Sequence, residues 1–234
     1  MQEKKNIGKL FDRIASRYDF LNHLFSLNID RYWRREAIRE MLRSAGKVSE
    51  VLDVAIGTAD LSIELLRQSP AVHITGIDLS DEMIRRGKQK AEIHRLADKI
   101  DFVKASALEM PYADNSFDVV MCAYGVRNFS DLERGLSEMQ RVLKSGGQLL
   151  ILEFSYPENK LVAWAYDLYF SHVMPFVGRL VSRDKTAYSY FYQSVKNFVW
   201  GEQMTPYLKK AGFNHISFTT LTFGISIAYF ARKD

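Results

Sequence analysis

Apolar positions switch repeatedly between a helical period and short continuous runs, and that switching predicts an α/β fold. Leu10, Phe11, Ile14, Ala15, Tyr18 and Leu21 recur at helical spacing, as do Trp33, Ala37, Ile38, Met41 and Leu42, so residues 6–46 read as helices. Val48–Val54 is mostly apolar and rich in valine, the pattern of a buried parallel strand. A small-residue loop, Ala55–Ala59, follows, and then Leu61, Leu65 and Leu66 mark a helix. Further strands are expected at Val72–Ile77, Ile100–Lys104, Phe117–Ala123 and Leu149–Phe154. Between them lie a helix over Ser80–His94, with Ser80 as its cap, and one running to Leu143 and stopped by Ser145-Gly146-Gly147. Strands that alternate with helices imply a parallel sheet covered on both faces. After a helix over residues 203–211, His215–Leu221 and Ser226–Arg232 alternate with period two and should pair antiparallel at the sheet edge.

The strand, loop and helix around Asp53-Val-Ala-Ile-Gly57-Thr58-Ala59 open a nucleotide-binding βαβ unit. Gly57 lets the backbone take a positive φ or approach a ligand closely. A dinucleotide fingerprint needs three glycines, and Asp53 would repel a pyrophosphate. A ligand carrying an ammonium group and no phosphate, such as S-adenosylmethionine (SAM), fits better; an ordinary strand–turn–helix is the plainer alternative. Asp78 lies 25 residues beyond Asp53, where a Rossmann-like fold sets an acid against ribose hydroxyls. Ligand groups should come from the carboxyl ends of the strands, where Ala55–Ala59, Asp78, Ser106 and Tyr124–Asn128 fall.

Composition narrows the class. Apolar residues at 47% suffice for a core and charged residues at 26% suit a soluble protein. Cys122, the single cysteine, excludes an internal disulfide framework and a cysteine-based metal cluster; in an apolar strand its expected role is packing. No stretch approaches 18 uncharged apolar residues and the N-terminus lacks a signal-peptide core, so cytoplasmic residence is expected. A net charge of +4 permits contact with an anionic membrane surface without demanding it. Residues 156–200 are dense in aromatics, among them Trp164, Tyr166, Tyr169, Tyr192 and Trp200. They read as two helical segments and a loop, either a small core of their own or a wall for a large apolar ligand.

With these residues in view, the chain resembles the ubiquinone/menaquinone-biosynthesis C-methyltransferases, on the demethylmenaquinone side of that family, over nearly its whole length. Two segments carry the resemblance: Tyr18-Asp19-Phe-Leu-Asn22 through Trp33, and Arg141-Val-Leu-Lys-Ser-Gly146-Gly147 through Glu153-Phe-Ser155. The Asp53–Thr58 loop, Gly125-Val-Arg127-Asn128, Ala187-Tyr188 and Leu221–Ile225 support it. The family usually has His where Asp30 stands, Gly where Ala59 stands, and Asp or Asn where Ser106 stands. Ala59 fits only if its φ is negative.

The resemblance implies a class I SAM-dependent methyltransferase: a Rossmann-like, seven-stranded, mostly parallel sheet with an antiparallel edge strand, an N-terminal helical cap and a helical insertion. The chain divides into a cap (1–46), a SAM-binding core (47–155), an aromatic substrate-covering insertion (156–202) and a C-terminal helix with a strand pair (203–234). Cofactor contacts are expected from Asp53, Ala55, Gly57, Thr58, Asp78, Leu79, Ser106, Ala107 and Ala123, and no metal. The acceptor implied is a polyprenylated quinol, demethylmenaquinol first, with a benzoquinol or another phenol as alternatives. Arg127 and Asn128 would stabilise its oxyanion, and Tyr18, Asp19 or a water would take its proton. Peripheral contact at the inner face of the cell membrane and no nucleic-acid partner are expected, with a homodimer left open. A nicotinamide oxidoreductase would need the glycine-rich loop that is missing. A scaffold without chemistry would not need Asp53, Thr58, Asp78, Arg127 and Asn128.

Overall fold

The computed structural model describes Ser26, residues 28–169, residue 171 and residues 192–234. The first helix expected from the sequence, with Tyr18, Asp19 and Asn22, and residues 170 and 172–191 of the aromatic insertion lie outside the described residues. In order come α1 (Asp30–Ser44), β1 (Glu50–Val54), α2 (Asp60–Gln68), β2 (His73–Asp78), α3 (Asp81–Ile93), β3 (Ile100–Lys104), β4 (Phe117–Ala123) and α4 (Leu132–Val142). They are followed by β5 (Leu143–Phe154), α5 (Lys160–Leu168), α6 (Thr205–Lys210), β6 (Asn214–Leu221) and β7 (Ser226–Arg232). Single 3₁₀ turns at Val126–Asn128 and Thr222–Gly224 complete the ends of β4 and β6.

The seven strands form one sheet in the order β3-β2-β1-β4-β5-β7-β6. β1 pairs in parallel with both β2 and β4, β4 pairs in parallel with β5, and β7 runs antiparallel between β5 and the outermost strand, β6. The strand order reverses at β1, so the loops after β1 and β4 part and leave a crevice beyond their carboxyl ends.

Both faces of the sheet are covered, which explains the unbroken apolar runs. Successive side chains point to opposite faces. Thus Val51, Ile74, Met121 and Leu152 join one core with Trp33, Ile38 and Met41 of α1 and Leu65 of α2. Leu52, Ile77, Val120 and Ile151 join the other with Leu136 and Met139 of α4 and Leu208 of α6. Full burial of each such side chain contributes roughly 1.5–3 kcal/mol. The indole of Trp33 also donates from Nε1 to Thr222 Oγ1 at 2.7 Å, fastening α1 to the turn between β6 and β7.

Caps set several helix starts. Ser80 accepts from the Met83 amide at 3.1 Å, as its position predicts, and Asp131 and Asn159 cap α4 and α5 likewise. The helix stop expected at Ser145-Gly146-Gly147 is not one. α4 ends at Val142 because its last carbonyls are taken from outside: the Asn115 and Ser116 amides donate to Arg141 O and Val142 O at 3.1 and 2.8 Å. β5 starts at once, and Ser145–Gly147 is a bulge within it. The partner of Phe117 is Leu143 and that of Val119 is Gln148. Gly146, at φ +75°, donates to Lys233 O at 2.7 Å.

Candidate active site

A cleft of about 620 Å³, counted to its mouth, opens where the β1 and β4 loops part. Ala55, Gly57, Asp78, Ala107, Ala123 and Asn128 line it, with Met83 and Phe129 as apolar walls and Leu79 at the rim. An adjoining lobe of about 370 Å³ shares Ala55, Gly57, Ala123 and Tyr124 and reaches down to Asp53, Thr58, Asp60 and Arg34. The expected cofactor residues of β1, β2 and β4 therefore converge on one place.

Small residues are required there. A Cβ on Gly125 would lie 2.7 Å from Cys122 Sγ and 2.9 Å from Ala55 Cβ, so the loops after β1 and β4 touch through a bare backbone. Ala55, Gly57 and Ala59 have φ of +58°, +55° and +69°. The expected negative φ at Ala59 is thus corrected. Its N–H donates to Ile56 O and its carbonyl accepts from Ile63, both at 2.9 Å, and those bonds hold the turn left-handed at the start of α2. For an alanine that conformation costs about 1–2 kcal/mol.

Asp53 is 1% exposed. Its Oδ2 accepts from Ser62 Oγ at 2.6 Å. Burial, reinforced by the neighbouring Asp78 charge and opposed by the Ser62 hydrogen bond and Arg34, pushes its carboxyl up to about 7. Asp78 is tied to backbone: the Gly57 amide donates to one carboxylate oxygen and the Ser80 amide to the other, each at 2.9 Å. It locks the β1 loop to the end of β2 while also facing the cleft. Thr58 is buried beside Lys90, whose Nζ lies 3.4 Å from Thr58 Oγ1. Ser106 turns back on its own loop, where its Oγ accepts from the Leu108 amide at 3.1 Å; its neighbours Ala105 and Ala107 form the wall.

On the other flank Arg127, expected in the cleft from its position after β4, is 7% exposed and turned toward Glu153 instead. It does not line the cleft. Nη1 donates to Glu153 Oε1 at 2.5 Å and to Tyr124 O at 2.8 Å, and Nε to Ser194 Oγ at 3.3 Å. Glu153 has no exposed surface and also accepts from the Phe154 amide at 2.9 Å and the Arg127 amide at 3.3 Å. Burial raises its carboxyl, and the Arg127 charge and these amides pull it back. Asn128 lines the cleft and lies within 3.4 Å of Tyr124 O through Nδ2.

Sequence reading missed Glu153 as a site residue and missed Arg34 altogether. Asp30 and Arg34 stand one helical turn apart on the face of α1 that also carries Trp33, Ala37 and Met41. A charged i,i+4 pair on a core face is the available signal.

The donor set suits SAM. A buried carboxylate with little compensation lies at the end of β1, a second acid closes the far end, and apolar walls lie between. Fold and cleft together define a class I methyltransferase. An entire-chain likeness to a Thermotoga maritima protein described as a SAM-dependent methyltransferase, possible histamine N-methyltransferase, agrees in fold: TM-score 0.68, 18% identity, 97% of this chain and 99% of that one covered.

The model of the ubiE/COQ5 methyltransferase family matches residues 1–233, and the chain belongs to that family. The demethylmenaquinone methyltransferase of Bacteroides fragilis is 40% identical over 99% of this chain and 94% of its own length. The ubiquinone/menaquinone biosynthesis C-methyltransferase UbiE of Geotalea daltonii is 41% identical over 99% and 98%.

Proposed function

We propose that this chain transfers a methyl group from SAM to a ring carbon of a polyprenylated quinol, with demethylmenaquinol as the acceptor. The carrying observation is the end-to-end similarity, at 40% identity, to a protein named for that reaction. Asp53 and Thr58 would hold the methionine end and Asp78 the ribose, with Ala107 and Ala123 beside the adenosine. When bound, SAM would supply an electrophilic methyl group to the ring carbon, its sulfonium leaving as a neutral thioether and the displaced ring hydrogen passing to solvent as a proton. The chain's task is to align the two carbons, exclude water and favour the ionised quinol hydroxyl. Asn128, which lines the cleft, would orient the oxygen on which negative charge develops, and Arg127, paired with Glu153 behind it, would hold the turn that carries Asn128. Tyr18, Asp19 or a water would take the hydroxyl proton.

A benzoquinol is the second acceptor to test, because the Geotalea daltonii relative carries both quinones in its name. Purified protein supplied with SAM and either reduced quinone, followed by mass spectrometry, decides. Ring methylation of demethylmenaquinol is expected; binding of SAM without methylation of either quinol would overturn the reading.

Such an acceptor resides in a bilayer. No helix among the described residues is long and apolar enough to cross one. Contact at its surface is supported by Leu161, Trp164 and Leu168, which share one stripe of α5 and are 73%, 62% and 44% exposed. Phe223 adds to it at 80% exposure in a turn whose Gly224 abuts Pro157, just before α5. Co-sedimentation with anionic liposomes should fall several-fold in a Trp164→Ser, Phe223→Ser double variant; unchanged binding would remove this surface.

A further inference from the structure

We propose that Arg34 reads the carboxylate of the ligand's amino-acid end, so that Asp53 and Arg34 together select a zwitterionic α-amino acid group. This rests on the reading that the cleft takes SAM. The deep lobe brings both residues to one wall. Arg34 comes from α1, the cap side, and Asp53 from β1. Its side chain is 6% exposed, a costly burial for a guanidinium unless the charge is matched. Yet its five N–H groups form a single hydrogen bond within the protein, from Nη1 to Asp30 Oδ2 at 2.7 Å. Nη2 faces Asp60 Oδ2 at 3.4 Å, and the guanidinium carbon stands 5.7 Å from the Tyr124 ring centre. A buried fork with donors to spare beside an open polar lobe suits a bidentate carboxylate.

The surroundings fix its aim. Asp30, 1% exposed, is itself held by Ser26, whose Oγ donates to Oδ1 at 2.6 Å. Asp60 is shared with Lys90, whose Nζ lies 2.5 Å from Oδ1, so its charge is not Arg34's alone. Asp53 supplies the opposite half: an acid with one side-chain hydroxyl partner, facing the same lobe, for the α-ammonium. One ligand carrying both groups supplies the cation that Asp53 lacks and an acceptor for the Arg34 N–H groups that Asp30 leaves over. A ligand ending in an alkyl chain or an amine alone satisfies only part of the pair. Asp30 is a positioning residue in this arrangement and touches no ligand.

Calorimetric titration with three probes tests this: S-adenosylhomocysteine, its decarboxylated analogue, and methylthioadenosine, which lacks the amino-acid end. The unmodified protein should bind S-adenosylhomocysteine at least tenfold more tightly than the decarboxylated analogue. Arg34→Met should weaken S-adenosylhomocysteine by roughly ten- to a hundredfold, while the other two probes change by less than about twofold. Asp30→Asn should give a smaller loss confined to the carboxylate-bearing probe. An equal loss for all three probes would mean that Arg34 only supports the fold of the lobe, and the proposal falls. It falls also if the unmodified protein binds S-adenosylhomocysteine and its decarboxylated analogue equally, a comparison that needs no folded variant. Failure of all three probes to bind would instead overturn the cofactor reading on which this one stands.

Discussion

Two buried carboxylates stand at the ends of strands on either side of β4, and they are treated in opposite ways. Glu153 is matched: Arg127 gives it a full ion pair and two backbone amides point at it. Asp53 is left with Ser62, through its hydroxyl and its backbone, and the nearby Arg34 is engaged with Asp30 and Asp60. A buried acid whose charge is compensated within the chain is an anchor for the 3₁₀ turn at Val126–Asn128. One left short of compensation is a socket for a cation that arrives later. The protein carries the desolvation of Asp53 in the free state and recovers it on binding, which turns binding energy toward a ligand with an ammonium group.

Breaking the anchor should have the largest effect. Glu153→Ala leaves the Arg127 charge buried and should destabilise the fold by about 3–5 kcal/mol, read as a shift in the urea midpoint. Arg127→Ala should also cut single-turnover methylation about a hundredfold or more while SAM affinity stays within a few-fold. A stable, active variant of either kind would remove the anchor.

Breaking the socket should do the reverse. Asp53→Asn keeps an oxygen for Ser62, so the fold should hold, while SAM affinity falls about a hundredfold, at the strong end of charged hydrogen bonds. The pH dependence has a definite sign. The folded carboxyl sits at about 7, above its ordinary 3.8, so the folded state keeps a proton that the unfolded state has lost. Stability from this group is present below about pH 4 and is lost as the pH rises through 7. Unmodified protein should therefore weaken by on the order of 1 kcal/mol between pH 6 and 8 relative to Asp53→Asn. A gap between their denaturation curves that does not widen with pH would show that Asp53 is compensated after all.

Asp78 lies between the two cases, since amides from Gly57 and Ser80 occupy both its oxygens while it still faces the cleft. Asp78→Ala should lower SAM affinity about ten- to a hundredfold and loosen the β1 loop, with a stability loss of roughly 1–3 kcal/mol from the orphaned amides. Unchanged calorimetric affinity would move the ribose elsewhere. The smallest change expected is a gain: Ala59→Gly, at φ +69°, should stabilise the protein by about 1 kcal/mol in thermal denaturation. No gain would mean that the turn relaxes around the alanine.

The sheet was legible in the chain to the residue at β3, β4 and β7, where polar or small residues bracket each apolar run. The β4-side wall and the Asp53–Thr58 loop were legible for the same reason, since topology alone carries strand ends to the crevice. What misled was local punctuation. Gly146-Gly147 reads as a helix stop, but the carbonyls of α4 find amides from Asn115 and Ser116, distant in sequence. Likewise the backbone role of Asp78, the partner of Arg127 and the placement of Arg34 depend on pairings between elements that no period along one element encodes.

Cys122 gives the molecule a built-in clock. It is the only thiol in the chain, it is fully buried beneath the bare backbone of Gly125, and burial pushes its thiol well above the ordinary range. An alkylating reagent can reach it only when the core around it opens, locally or globally. The labelling rate of the native protein therefore times the opening of the core beneath the sheet, and a destabilising substitution in that core should quicken it.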